Sequence, residues 1–234
     1  MTIHPIRFTG RPTGETDRLP QEIACYDLLD QLGISYDRVD HTAAHTIADC
    51  ARELEESATP HHILQAVELS RPNADTLEFA GMIVHSRDLF QHLSGCEEAV
   101  LFAATLGAPV DLRLERCAKV SMSRAVVMQA CAASLIESYC DECQESIAQE
   151  AASRGLYLRP RYSPGYGDFD ISYQREFLTV LDCPKRIGLT MTDSFMLAPS
   201  KSVTAVIGLT AEAQSCHIAK CMTCKAKSCP FRKD

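Results

Sequence analysis

The feature that most constrains the fold of this chain is one long helix, predicted from about Ser121 to Ser153. At 1.5 Å of rise per residue such a helix spans about 50 Å, and its apolar stripe must be covered by other elements. Met122, Val126, Leu135, Ile136, Tyr139, Cys143 and Ile147 are expected to supply its apolar bulk. The stretch Ala130-Cys131-Ala132-Ala133-Ser134 is thin, so a neighbouring sheet can approach closely. Glu137, directly after Leu135-Ile136, is expected in the buried half. A buried carboxylate must be paired, protonated or functional, because its isolated burial costs too much. Pairing with an arginine is the structural reading of Glu137. Cys140 and Cys143 form a C-x-x-C, but in mid-helix, away from the N-terminal dipole that lowers a thiol pKa. Packing is therefore preferred to redox chemistry there.

Residues 1–19 are polar, with Gly10, Pro12 and Gly14, and read as an extended arm. A helical segment over 20–75 follows. Pro20 opens a helix that closes at Gly33. A second helix runs from about Thr42 to Ser57, with Ile47, Cys50, Ala51 and Leu54 spaced as one buried stripe. His41, His45 and the pair His61-His62 lack a third ligand and read as solvated or capping side chains. The main core is expected over 76–212. Ile63–Leu69 and Leu77–Val84 read as strands, Ser86 as the cap of a short helix ending before Gly95, and Ala99–Thr105 as a buried strand broken by Gly107-Ala108-Pro109. A helix from about Ser172 to Asp182 and strands at Ile187–Met191 and Ser202–Leu209 complete the pattern. The elements interleave without a regular βαβ beat or a Gly-rich phosphate loop. That predicts an α+β fold, with a mixed, largely antiparallel twisted sheet packed against the long central helix.

Between the long helix and the last strands lies Arg161-Tyr162-Ser163-Pro164-Gly165-Tyr166-Gly167-Asp168. Pro164 fixes its own φ and pushes Ser163 toward extended geometry, while the two glycines can take φ values closed to other residues. Such a loop holds a shape and lets a ligand approach its backbone. Arg161 brings a planar five-donor fork, and Tyr166 a flat face with a hydroxyl tip. A tight turn between elements is the purely structural alternative.

The chain carries 23 Lys and Arg against 31 Asp and Glu, a formal net charge of −8. That argues against nucleic acid, which wants a basic patch, and suits docking on a basic protein surface. No apolar run approaches the ~20 residues of a membrane helix and no signal-type segment is seen, so a cytosolic protein without a membrane partner is expected. Twelve cysteines then imply a reducing compartment. Eight are scattered and read as small core hydrophobes. Cys216, Cys221, Cys224 and Cys229 are spaced C-x4-C-x2-C-x4-C, close enough to wrap one ion or cluster. Four thiolates suit zinc or an iron–sulfur cluster equally, and the residues 213–234 that carry them are read as a metal-binding tail.

The Arg161-x-x-Pro164-Gly165-Tyr166 signature resembles that of the activation (reactivation) domain of cobalamin-dependent methionine synthase. Three further stretches agree in order: Phe102–Gly107 with its Thr-x-Gly end, the helix around Ala133–Glu137, and Thr192–Pro199 followed by Ser202-Val203. Together they span about Val100 to Leu209. The resemblance implies that family's fold and a stand-alone activator of a corrinoid methyltransferase, serving methionine biosynthesis. Such a protein would dock on the partner's cobalamin module and hold S-adenosylmethionine beside the corrinoid. Reduction and methyl transfer would then restore methylcobalamin from stalled cob(II)alamin, with an electron donor protein as a further partner. It places Arg161 on the methionine carboxylate or in support of the loop. Pro164, Gly165 and Tyr166 would shape the pocket, and Glu137 would take the ammonium group directly or through water. The cysteine tail departs from the family's continuation into further sheet. It leaves two other readings open: a metal-tailed scaffold that binds no small molecule, and an iron–sulfur reductive activator independent of S-adenosylmethionine.

Overall fold

The computed structural model describes residues 41–73 and 75–212, with side chains from His45 onward. The expected N-terminal arm, the helix at Pro20–Gly33 and the tail cysteines Cys216, Cys221, Cys224 and Cys229 lie outside the described residues. In chain order the first elements are α1 (His41–Ser57), β1 (His61–Glu68), β2 (Ser70–Asn73), β3 (Thr76–Phe79), β4 (Met82–His85), α2 (Arg87–His92) and β5 (Cys96–Thr105). They are followed by α3 (Ala108–Val120), α4 (Met122–Ser153), β6 (Tyr157–Leu158), α5 (Gln174–Val180), α6 (Cys183–Ile187), β7 (Thr190–Met191), β8 (Leu197–Ala198) and β9 (Ser202–Thr210). The described residues form two compact units, 41–60 with 106–141 and 61–105 with 142–212.

The first unit is helical. On α1, Ile47, Cys50, Ala51 and Leu54 are all buried, as their spacing predicts. Glu53 of the same helix accepts a 2.8 Å bond from Arg124 on the first turns of α4. Gly107-Ala108-Pro109 does more than end a strand: Pro109 sits in the first turn of α3, a helix the pattern did not declare. On α4 the buried stripe is Ala125, Met128, Cys131, Ala132, Leu135, Ile136 and Cys140. Met122 and Val126, expected in the core, are 71% and 65% exposed. Glu137 is also exposed rather than in the buried half. At 100° per residue it falls outside the arc that Leu135 and Ile136 bury, so sequence adjacency misled where helical phase decides.

The second unit is built on a four-stranded sheet in the order β1-β5-β9-β6, and every described pairing is antiparallel. β5 and β9 are its central strands. Ala99 through Ala104 and Ala205 through Leu209 are buried on both faces, which is why both strands read as near-continuous apolar runs. One face of the sheet presents Ala99, Leu101, Ala103 and Val206 to a core that also holds Leu77, Leu89, Leu93, Phe169, Phe177 and Leu181. The other receives Ile147 and Ala151 from the last turns of α4, the expected packing of sheet on long helix. No described helix is long and apolar enough to cross a membrane.

Two strand expectations need correction. Leu77–Val84 is not one strand but the tight hairpin β3–β4, turning at Ala80 (φ 51°) and Gly81 (φ 77°). Positive φ at both central positions matches the twist of the flanking strands. The Ala-Gly pair lacks the Asn or Asp that usually announces such a turn. Ile187–Met191 is not a strand throughout. Pro184 opens α6, Gly188 in the left-handed region closes it, and only Thr190–Met191 pairs, with Leu197–Ala198.

Candidate functional site

The Arg161–Asp168 loop is fastened to the sheet at its start and to a helix at its end. Tyr162 exchanges two backbone bonds with Val206 of β9, at 3.0 and 2.8 Å. Just before it, the Arg159 amide donates to Gly208 O at 2.8 Å, and its buried guanidinium donates to Ser94 O at 3.0 Å. The Tyr162 ring is buried against His92, with 4.8 Å between centroids, and His92 Nε2 lies 2.8 Å from Pro160 O. Within the loop, Tyr166 N donates to Ser163 O, Phe169 N to Tyr166 O, and Gly165 N to Phe169 O at 2.7 Å. The turn therefore closes on its own backbone.

Asp168 anchors the far end. Its carboxylate accepts from Ser86 Oγ at 2.5 Å and from the amides of Arg87 and Asp88 at 2.9 and 3.1 Å. Asp88 returns the bond, accepting from the Asp168 amide at 3.2 Å. Ser86 caps α2 as its sequence position predicts, accepting from Leu89 N. The Ser86 hydroxyl first, and then the amides of Arg87 and Asp88, hold the Asp168 carboxyl below the usual carboxylate range. A depressed carboxylate contributes stability above its unfolded pKa of about 3.9 and loses it as pH falls further. Asp168→Asn should therefore lower stability at neutral pH. The gap to the parent chain should close as pH falls below about 4, measured by denaturant unfolding across pH. A gap that stays constant down to strongly acid pH would show that the charge is not what matters.

Gly167 is where loop and helix approach most closely. It sits at φ 54°, and a Cβ there would overlap Asp88 Oδ2 and lie 2.7 Å from the Tyr162 hydroxyl. Burial first, and then the charges of Asp88 and Asp168, push the Tyr162 phenol up in pKa, so it stays protonated. Its hydroxyl lies 3.4 Å from Tyr166 O, which it can reach as a donor.

The residues singled out from sequence divide between the two units. Arg161, Pro164, Gly165 and Tyr166 stand together in the second. Arg161 is half-buried and Nη1 donates to Gln144 Oε1 at 3.2 Å, while Pro164 is buried beneath the loop. Gly165, at φ 95°, and Tyr166, 57% exposed, form its outer surface. Glu137 belongs to the first unit. Two of the other family-like stretches meet on the sheet. Thr105 and Ser202 are register partners on β5 and β9, and Ser202 Oγ lies 2.8 Å from Thr105 Oγ1 and 2.7 Å from Pro199 O. Buried Gln174 ties the remainder together, donating to Phe195 O and accepting from Thr204 Oγ1. Asp88, His92, Gln144 and Gln174 carried no signal in the sequence, because each acts across a long separation that only the fold closes.

Among the described residues no group of His, Cys, Asp or Glu could hold a metal ion. Cys50, Cys96, Cys117, Cys131, Cys140, Cys143 and Cys183 are buried and form no disulfides, as small core hydrophobes should be. Burial pushes the Cys183 thiol up to about 11, which makes it inert at neutral pH.

No curated protein matches the chain. Thirteen chains of solved structures do. One is a MetH reactivation domain crystallised with AdoHcy. It is similar at a TM-score of 0.60 and 15% identity, over 83% of this chain and 76% of that one, a likeness that shows the fold. The family model for the activation domain of vitamin B12-dependent methionine synthase matches residues 94–234, which include the Arg-x-x-Pro-Gly-Tyr loop, both central strands and the long helix. With that match over more than half its length, the chain belongs to the vitamin B12-dependent methionine synthase activation domain family.

Proposed function

We propose that this chain reactivates a cobalamin-dependent methyltransferase such as methionine synthase. It would bind S-adenosylmethionine on the Arg161–Asp168 loop and dock on the partner's cobalamin-bearing module. The observation that carries the reading is the loop's enforced shape. It is bonded to β9 at Tyr162, capped onto α2 through Asp168, and closed at Gly167 where no Cβ fits. A turn serving only to connect elements needs no such fixing. The donor set suits the ligand. Arg161, oriented by Gln144, presents a charged fork to a carboxylate, and Tyr166 presents an exposed aromatic face to a sulfonium or a flat ring. Pro164 and Gly165 shape the wall between them. When bound, S-adenosylmethionine supplies an activated methyl group, so the protein's part is positioning rather than acid–base chemistry.

Arg161→Ala should weaken S-adenosylmethionine binding by about 1.5–3 kcal/mol, the scale of a charge-assisted hydrogen bond, and leave the melting temperature nearly unchanged. Unchanged affinity in a calorimetric titration would remove Arg161 from the site. Docking itself is checked by gel filtration with a cob(II)alamin-loaded partner module, where the complex should weaken at high salt. Failure to co-elute at low salt would count against a docked activator.

The tail cysteines Cys216, Cys221, Cys224 and Cys229 are proposed to ligate one zinc ion or one iron–sulfur cluster, a reading supported by their spacing alone. Elemental analysis of protein prepared without oxygen should find about one centre per chain, and Cys221→Ser with Cys224→Ser should remove it. Metal-free wild-type protein would refute this assignment.

A further inference from the structure

The four-stranded sheet has two edges, and they differ. At one, β6 is only two residues long, Tyr157–Leu158. At the other, β1 runs for eight, His61–Glu68, from His61 opposite Thr105 to Glu68 opposite Glu98, without a shift in register. No described strand pairs with its outer side. Edge strands are commonly protected by proline, lysine, a bulge or a short length, and β1 has none of these. Leu64, Gln65 and Ala66 at its centre are exposed, although they point alternately to the two faces, while Ile63 and Val67 on either side are buried.

The edge is apolar on the face that receives the end of α4. Leu64 and Ala66 stand there with Val100, Ile147, Ala151 and Leu209 around a cavity of about 200 Å³, and Leu64 is left 38% exposed. Residues directly opposite in an antiparallel pair share a face. Two copies of β1 therefore keep like faces together only in registers that pair even positions with even and odd with odd. The register centred on Gln65 sets Leu64 opposite Ala66 of the second copy and Ile63 opposite its Val67. At both ends it sets His62 opposite Glu68, an imidazole donor facing a carboxylate. Within one chain Glu68 faces Glu98 across β1 and β5, a like-charge pair that gains from such a neighbour.

We propose that β1 is a homodimerisation edge, on which a second copy of this chain pairs its own β1 antiparallel about a two-fold axis at Gln65, joining the two sheets into one. The pairing gives the outward backbone groups of β1 partners and brings Leu64 and Ala66 of both copies together, removing apolar surface from water. A two-fold interface requires one patch to be complementary to itself, and in this register the strand meets that requirement residue by residue. That self-complementarity is what favours a second copy over an unrelated strand. The inference depends on the edge, its exposure and its register, and is independent of the S-adenosylmethionine reading.

Sedimentation velocity of the intact wild-type chain, from low to high micromolar concentration, should show a reversible monomer–dimer equilibrium. Gln65→Lys, at an exposed position, sets two like charges face to face on the axis. It should weaken the dimer about tenfold or more while leaving the chain folded by its melting curve. Gln65→Glu should do the same. An equal mixture of the two variants should associate again, because opposite charges then meet on the axis. Ile83→Lys, at an exposed apolar position on β4, should leave the equilibrium unchanged. A wild-type chain that is monomeric throughout, or a dimer indifferent to Gln65→Lys, would overturn the proposal. So would a mixture no more associated than its parts, or an equal loss in Ile83→Lys.

Discussion

Gly167→Ala should destabilise the protein by about 2–4 kcal/mol and abolish ligand binding at the loop, although the change adds one methyl group. The added Cβ meets Asp88 Oδ2 and the Tyr162 hydroxyl, so neither neighbour can stay in place. Moving Asp88 breaks its bond to the Asp168 amide, and moving Tyr162 disturbs its tilted ring contact with His92. The matched control is Gly155→Ala. Gly155 also has a positive φ, of 71°, but nothing lies within 4 Å of its would-be Cβ. That variant bears only the left-handed backbone penalty, about 1 kcal/mol. Denaturant unfolding of both separates close approach from conformational strain. Equal losses would show that the loop is not held against α2 as described.

The second large effect is expected at Phe169. Its ring is 1% exposed and touches three others, Tyr162, Tyr173 and Phe177, with centroids 6.4, 5.4 and 6.3 Å away. Phe169→Ala leaves a cavity that this aromatic cluster cannot close, costing about 3–5 kcal/mol in a chemical denaturation curve. The backbone of Phe169 closes the loop through Gly165 N, so the shape of the loop should loosen with the core. Phe169→Leu keeps much of the volume and should lose well under half as much. A fully tolerated Phe169→Ala would mean that the loop rests on its hydrogen bonds and not on the ring cluster beneath it.

How much of this was legible in the sequence depended on the range over which each feature acts. The stripe Ile47, Cys50, Ala51, Leu54 was readable because a helix states its buried face in its own period. The central strands β5 and β9 are readable because burial on both faces makes the stretches 99–104 and 205–209 unbroken apolar runs. The Ser86 cap was readable because capping chemistry is local. Met122, Val126 and Glu137 lie off the buried stripe because helical phase decides burial, above apolar identity or proximity to buried residues. The β3–β4 hairpin is not legible because Ala80-Gly81 adopts a turn that its composition does not announce.

The candidate site follows the same division. Pro164, Gly165 and Gly167 told of a fixed loop, since backbone requirements are written in the residues that meet them. What fixes it was hidden. Asp88 lies 80 positions from Asp168, and Gln144 lies 17 from Arg161. Neither is distinguishable in sequence from any other surface polar residue, and only the closing of the sheet brings them to the loop.

The central claim, that the Arg161–Asp168 loop is an S-adenosylmethionine site, is tested most directly by calorimetric titration of the wild-type chain with that ligand. The account predicts a single saturable site per chain, lost in Gly167→Ala and weakened in Arg161→Ala. A wild-type protein that is folded by its melting curve, yet shows neither heat of binding nor a raised melting temperature at millimolar S-adenosylmethionine, would contradict it.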